Sequence, residues 1–130
     1  MLDYFYMKKG IIALIVSIVV IGGLVTWGVV EEKKPGKYDA LAQCITDSGA
    51  EFYGTFWCPH CANQKKMFGK SADLLPYKEC STPDGKDQLP LCDEKEITGY
   101  PTWIFPDGTR IGGEATPEEL AEKTMCTLPV

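Results

Sequence analysis

Residues 51–61, EFYGTFWCPHC, decide the fold of this chain. The first seven of them are rich in aromatic side chains, which predicts a strand over 51–57. Pro59 suits the first position of a helix, so we expect a helix from Cys58 to about Phe68. The chain therefore passes from a strand directly into a helix, with two cysteines at the junction.

Patterns on both sides of this junction predict the other elements. Leu41, Cys44 and Ile45 share one face of a helix at 38–48, which Gly49 ends. The later elements are strands at 77–80, 102–105 and 109–111, a helical turn at 93–97, and a helix from 116 to about 125. A strand–helix–strand unit followed by a hairpin and a helix predicts an α/β domain whose mixed sheet is covered by helices on both faces.

Cys58 and Cys61 carry the most informative chemistry. Their spacing places both sulfurs on one helical face about one turn apart, and that separation suits a disulfide. The unpaired N–H groups and the dipole at the start of the helix favour a negatively charged sulfur at Cys58. His60 adds a hydrogen-bond donor that is cationic when protonated. The Pro-His pair between the cysteines thus favours an oxidant in thiol–disulfide exchange.

Two other interpretations of this motif are less favoured. A purely structural disulfide between Cys58 and Cys61 would close four residues only and would remove little chain entropy. Two thiolates and His60 could ligate zinc or copper, but the chain has no second CxxC motif, so we expect no metal. Position 62 is alanine, which excludes the haem-attachment motif.

A second motif, GYPT at 99–102, precedes a predicted strand. Proline cannot donate to the strand ladder, and its preceding peptide bond is a candidate for the cis form. We expect Trp57, Tyr100 and Pro101 to frame an apolar surface that docks a peptide beside the cysteine pair. Core packing is the favoured interpretation for the other two aromatic residues near the motifs, Phe56 and Trp103.

Together these motifs resemble those of thioredoxin-fold proteins, and more narrowly the thioredoxin-like domain fused to bacterial and plant vitamin K epoxide reductase homologues. The similar segments lie at 53–61, 64–69, 77–80, 83–85, 91–92, 97–104 and 119–122. The resemblance implies a thioredoxin-like mixed sheet flanked by helices. It also implies that Cys58 is the exposed nucleophile, that Cys61 is the buried resolving thiol, and that Pro101 is a cis proline whose neighbouring backbone pairs with the substrate.

One position departs from the thioredoxin pattern. Thioredoxins carry a buried acid six residues before the first cysteine of the motif, and here that position is Phe52. Glu51 is one residue away, so strand alternation directs its side chain to the other face of the sheet. The proton acceptor that reducing relatives use is therefore missing from its usual position.

The other four cysteines predict two further pairs. Cys80 and Cys92 flank a turn-rich loop, and a bridge between them would contribute roughly 3 kcal/mol as a structural disulfide. The alternative for this pair is a second redox couple that relays electrons to or from Cys58 and Cys61. A bridge between Cys44 and Cys126 would tie together the ends of the domain, and the alternative is two buried free thiols.

Charge and hydropathy divide the chain into four regions. We predict a cytoplasmic N-terminus at 1–10, a single transmembrane anchor at 11–30, a linker at 31–37 and the thioredoxin-like domain at 38–130; a cleaved signal peptide is the alternative for the apolar run. The domain carries 15 acidic and eight basic residues, which argues against nucleic-acid binding. Six cysteines favour an extracytoplasmic domain, in the periplasm or at the cell surface.

The sequence thus predicts a membrane-anchored thiol–disulfide oxidoreductase that exchanges disulfides with exported proteins containing cysteine pairs, as an oxidant. The expected catalytic residues are Cys58, Pro59, His60, Cys61 and Pro101. No cofactor is expected beyond the redox-active disulfide. The resemblance implies a separate, quinone-linked vitamin K epoxide reductase-like oxidase as a partner. The alternatives are a non-catalytic, disulfide-stabilised binding or assembly module, and a reductase or isomerase of the same fold.

Overall fold

The computed structural model describes the backbone of residues 2–29 and 34–130 and the side chains of residues 7–21 and 34–130. The chain divides into two compact units, Met1–Lys34 and Pro35–Val130. Positions 30–33 lie outside the described residues, and with them part of the predicted linker. The first unit contains the helix α1 (Leu2–Val29), in which the Ser17 hydroxyl donates to the carbonyl of Ala13 at 2.9 Å.

The prediction of a transmembrane anchor at 11–30 is wrong. Within the described residues, no helix is both long enough and apolar enough to cross a membrane.

The second unit alternates helices and short strands. Its first half contains α2 (Asp39–Asp47), β1 (Glu51–Gly54), α3 (Pro59–Phe68), a 3-10 helix (Gly69–Leu74) and β2 (Tyr77–Glu79). Its second half contains α4 (Pro90–Glu94), β3 (Thr102–Ile104), β4 (Arg110–Gly112) and α5 (Pro117–Thr124). The predicted elements are present with shifted ends. The helical turn expected at 93–97 begins earlier, because Pro90 occupies a first-turn position.

The four strands form one mixed sheet in the order β2-β1-β3-β4. β1 is parallel to β2, and β1–β3 and β3–β4 are antiparallel. The parallel pair is connected through α3, as a strand–helix–strand unit requires. The mixed α/β sheet that the sequence predicted is therefore present, and it places the end of β1 beside the start of α3.

The core lies mainly on one face of this sheet. Phe52 of β1 and Trp103 of β3 are paired in register and stack with their ring centroids 4.7 Å apart. Side chains of three helices pack around them, namely Leu41 and Ile45 of α2, Phe68 of α3 and Leu120 of α5. Because side chains alternate along a strand, Tyr53 faces the other side, where it packs with Cys80, Cys92 and Ile97.

Two disulfides connect elements of the second unit. Cys44 of α2 is bonded to Cys126, which follows α5, across a sequence separation of 82. Cys80, directly after β2, is bonded to Cys92 of α4 across a separation of 12. The sequence left open whether the helix that carries Cys44 and the helix that precedes Cys126 share a face of the sheet. They do, since α2 and α5 pack into the same core cluster.

Candidate redox site

Cys58 caps the N-terminus of α3. Its backbone is extended, with φ −78° and ψ 119°, and its N–H donates to the Thr55 carbonyl at 3.2 Å. Pro59 then begins the helix, and the N–H of Cys61 donates to the Cys58 Sγ at 3.4 Å. This amide of the first helical turn has no carbonyl partner within the helix and points at the sulfur. The helix dipole adds to the positive potential there. The Cys58 sulfur therefore accepts a backbone hydrogen bond at the positive end of the helix dipole.

The Cys58 sulfur faces the loop before β3. Its thiol donates to the Tyr100 carbonyl at 3.7 Å, and the Tyr100–Pro101 peptide bond is cis. The Pro101 carbonyl accepts a hydrogen bond from the Gly113 N–H at 2.8 Å, so the Tyr100 carbonyl is the one that faces the cysteine. Cys58 is 6% exposed, which is less open than the resemblance implied.

Cys61 lies deeper than Cys58. It is 2% exposed, and this burial raises the pKa of its thiol to about 12, although a backbone hydrogen bond from Thr55 and the charge of Lys65 act in the opposite direction. Gly54 leaves room for the sulfur, since a Cβ at that position would lie 2.7 Å from the Cys61 Sγ. A side chain on Gly54 and the present position of Cys61 are therefore incompatible.

His60 is exposed on the outer side of the helix start. Its Nδ1 donates to a Glu114 carboxylate oxygen at 2.7 Å, and Asn63 donates to the same oxygen at 3.4 Å. The hydrogen bond from His60 lowers the pKa of Glu114. No sequence pattern identifies Glu114, because it lies 54 residues from His60 and carries no local signal of its role.

The aromatic residues around the pair have different environments. Trp57 is 53% exposed, donates from its indole to the Ser81 hydroxyl at 3.0 Å, and meets Tyr100 edge to face. The Tyr100 hydroxyl donates to the Gln88 side chain. Phe56 is 60% exposed, so the favoured prediction of core packing is wrong for it, because β1 ends before Phe56. Trp103 is fully buried, as expected.

The first two residues of β1, Glu51 and Phe52, place no carboxylate beside the cysteine pair. Phe52 is fully buried and stacks on Trp103. Glu51 accepts from the Tyr53 hydroxyl at 2.9 Å and from Lys95 at 3.1 Å, on the opposite side of β1. Neither residue supplies a buried acid next to Cys61.

The six cysteines, all within the described part of the chain, fall into two classes. Four form the two disulfides, whereas Cys58 and Cys61 are unbridged and lie together at the start of α3. Within the described residues, no group of three or more histidine, cysteine or carboxylate side chains is placed to hold a metal ion. The two neighbouring thiols of Cys58 and Cys61 can take part in thiol–disulfide exchange.

Comparison with known proteins gives the same chemical class. No protein-family model matches the chain. The chain is 46% identical over 94 residues to a protein of Arabidopsis thaliana named thiol-disulfide oxidoreductase LTO1. The match covers 68% of this chain and 24% of that relative, so the chain spans about a quarter of the relative's length. The comparison does not extend to the resemblance to vitamin K epoxide reductase homologues. What it supports is a thiol–disulfide oxidoreductase.

Proposed function

We propose that this chain is a thiol–disulfide oxidoreductase that oxidises cysteine pairs of exported proteins through Cys58 and Cys61. One observation carries the proposal: two unbridged cysteines meet at a helix start while the other four cysteines are bonded. The likeness to a relative named thiol-disulfide oxidoreductase supports the same class of reaction.

The reaction begins from the form in which Cys58 and Cys61 are joined. A substrate thiolate attacks the Cys58 sulfur, a new bond forms between these two sulfurs, and the Cys58–Cys61 bond breaks with its electron pair on Cys61. A second substrate thiolate then attacks the substrate sulfur of the mixed disulfide and releases Cys58 as a thiolate. Two electrons have moved from the substrate to the cysteine pair. A disulfide-generating oxidase must remove them, and the quinone-linked enzyme implied by the resemblance is our candidate.

The surroundings of Cys58 support the oxidising direction. The Cys61 amide and the start of α3 favour the thiolate of Cys58, which stabilises the reduced pair and makes the disulfide a stronger oxidant. We propose that His60 contributes in the same direction when it is protonated. Trp57 and Tyr100 flank the sulfur, and with Pro101 they are our candidates for docking the substrate.

The two remaining disulfides support a location outside the cytoplasm. Disulfides persist in oxidising compartments and are rare where cellular reductants keep thiols reduced. Cys44–Cys126 and Cys80–Cys92 both join buried or half-buried residues of the second unit. We propose that the domain works in such a compartment, on proteins that acquire their own disulfides there.

The first experiment mixes the oxidised protein with a reduced dithiol peptide and follows the loss of peptide thiols. We expect rapid oxidation by the wild-type protein and none by Cys58→Ala, with circular dichroism to show that both are folded. Equal rates for the two proteins would contradict the enzymatic function and would favour a non-catalytic assembly module.

The direction of the reaction is measured separately, by equilibrating the Cys58–Cys61 pair with glutathione. We expect a reduction potential well above that of thioredoxin, which is about −270 mV, and toward that of the strong oxidant DsbA, at about −120 mV. A potential near the thioredoxin value would refute the oxidant and would favour a reductase.

A further inference from the structure

Cys61 must carry negative charge in both directions of the proposed exchange. It is the leaving group when a substrate attacks Cys58, and it is the attacking group when it resolves a mixed disulfide. Yet it is 2% exposed, and Phe52 occupies the position at which thioredoxins carry a buried acid. The backbone hydrogen bond from Thr55 favours the thiolate of this buried sulfur, and a nearby positive charge adds to that effect.

Lys65 and Tyr77 are placed to do so. Lys65 lies one helical turn after Cys61 in α3, and its Nζ lies 3.4 Å from the centroid of the Tyr77 ring. The Tyr77 ring and the Cys61 sulfur both border Gly54. A Cβ on that glycine would lie 2.9 Å from the Tyr77 ring and 2.7 Å from the sulfur. The ammonium group, the ring and the thiol therefore lie in the same part of the domain.

The Tyr77 ring is fixed and uncharged. Its hydroxyl donates to a Glu79 carboxylate oxygen at 2.8 Å, and burial together with this bond raises the pKa of Tyr77. The other Glu79 oxygen accepts from the backbone N–H groups of Phe56 at 3.2 Å and of Ser81 at 2.9 Å. A neutral aromatic face attracts a cation, so the ring holds the ammonium group in place.

We infer that Lys65, held on the face of Tyr77, is a positioning residue that stabilises the Cys61 thiolate during exchange. The inference rests on the proposed function. In it, Lys65 acts on the Cys61 sulfur through space and does not contact the substrate. The charges that face Cys61 are those of Lys65, which favours the thiolate, and of a Cys58 thiolate, which opposes it; Glu79 lies behind the Tyr77 hydroxyl.

The bonds and electrons balance in each direction. During oxidation of a substrate, the Cys58–Cys61 bond breaks, its electron pair stays on Cys61, and the sulfur later takes a proton from solvent. During resolution, Cys61 first gives its proton to solvent. Its thiolate then bonds to Cys58, and the substrate sulfur leaves with the electron pair of the broken mixed disulfide. Lys65 stabilises the charged sulfur in both steps.

The test separates the two thiols of the pair by kinetics. Reduced protein is mixed with oxidised glutathione, and two rates are followed at a series of pH values. The first is formation of the mixed disulfide at Cys58, and the second is its resolution by Cys61. We expect Lys65→Met to leave formation unchanged and to slow resolution about tenfold at a given pH, with the resolution profile displaced upward by about one pH unit.

Two further variants serve as controls. Lys65→Arg keeps the cation and is expected to resolve at nearly the wild-type rate. Lys66→Met removes the neighbouring exposed lysine of the same helix and is expected to change neither rate. If Lys65 had a purely structural role, its loss would change both the formation and the resolution of the mixed disulfide. It would not displace the pH profile of resolution alone.

The outcomes distinguish this inference from the proposed function. If the wild-type protein forms no mixed disulfide at Cys58, the proposed function fails and the inference fails with it. Suppose instead that the wild-type protein forms the mixed disulfide. The inference alone is then overturned by either of two results: Lys65→Met resolves the mixed disulfide as fast as the wild-type protein, or Lys66→Met slows resolution as much as Lys65→Met does.

Discussion

At the scale of single residues, Gly54 sets the packing around the resolving thiol. A Cβ there would lie 2.7 Å from the Cys61 sulfur and 2.9 Å from the Tyr77 ring. Something must then shift, and we predict that Gly54→Ala destabilises the fold by about 1–3 kcal/mol and slows disulfide exchange. Urea unfolding and the dithiol-oxidation assay measure the two effects.

Gly112 provides the matched control for this substitution. It also lies in a strand, but a Cβ there would meet no atom within 4 Å. Gly112→Ala should change stability by no more than about 0.5 kcal/mol. Equal stability of the two alanine variants would show that Gly54 is not required for the packing of Cys61.

The contact between His60 and Glu114 has a pH signature. The hydrogen bond from His60 holds the pKa of the Glu114 carboxyl below its ordinary value of 4.5. A carboxyl whose pKa is depressed by folding favours the folded state above its ordinary pKa. That contribution is lost as the pH falls through the lower, folded-state value. The contact therefore matters at neutral pH and disappears in acid.

We predict that His60→Gln moves the pKa of Glu114 upward, because the glutamine cannot become a charged donor. Carboxyl chemical shifts followed by NMR through an acid titration measure the change. Asp107 is the internal control, since its pKa is lowered by Thr109 and should stay the same. A Glu114 titration identical in both proteins would exclude His60 as the cause.

At the scale of elements, Gln64 joins α3 to the segment before α5. Its side chain is fully buried, accepts from the Ala115 N–H at 2.7 Å and donates to the Ala115 carbonyl at 2.8 Å. The Trp103 indole donates to the same amide oxygen at 3.3 Å. The Gln64 side chain therefore holds α3 against the segment before α5 and against β3.

We predict that Gln64→Leu destabilises the second unit by about 2–4 kcal/mol, because it leaves buried backbone groups of Ala115 without partners. Denaturant unfolding measures the loss. Gln43→Leu, on the exposed face of α2, is the matched control and should cost no more than about 0.5 kcal/mol. A small effect at Gln64 would mean that water replaces the lost hydrogen bonds.

The predicted ends of the elements were most accurate where single residues mark them. Pro59 marks the start of α3, and the structure places that helix at Pro59–Phe68. The capping box of Thr116 and Glu119 marks the start of α5 equally well. The 3-10 helix at Gly69–Leu74 was missed, because it depends on contacts with α2 and α3 more than on a local pattern.

At the scale of the whole molecule, the two disulfides should differ in their contribution to stability. Cys44–Cys126 spans a sequence separation of 82, and Cys80–Cys92 spans 12. In the chain-entropy model a longer loop restricts the unfolded chain more, which gives about 4.5 kcal/mol for the first bridge and about 3 kcal/mol for the second.

We predict that replacing both Cys44 and Cys126 with alanine lowers the denaturation midpoint more than replacing both Cys80 and Cys92. Chemical denaturation of the two double variants measures the difference, and each serves as the control for the other. The reverse order would indicate that local packing around Cys80 and Cys92 outweighs the restriction of the unfolded chain.

The sequence by itself determined the position of the cysteine pair and the class of fold. A strand rich in aromatic residues, a proline at the first helical position and two cysteines three residues apart are local features. Their consequences follow from the geometry of a single strand–helix junction. The structure accordingly places Cys58 and Cys61 at the start of α3, beside the end of β1.

Only the tertiary structure decided what surrounds that pair. Glu114 meets His60 across 54 residues, the Tyr100 carbonyl meets Cys58 across 42, and Lys65 lies on the ring of Tyr77 from a different element. Such contacts depend on how the sheet and helices pack, and no periodicity along the chain encodes them. The charge and hydrogen bonding of the redox site are therefore properties of the packed domain.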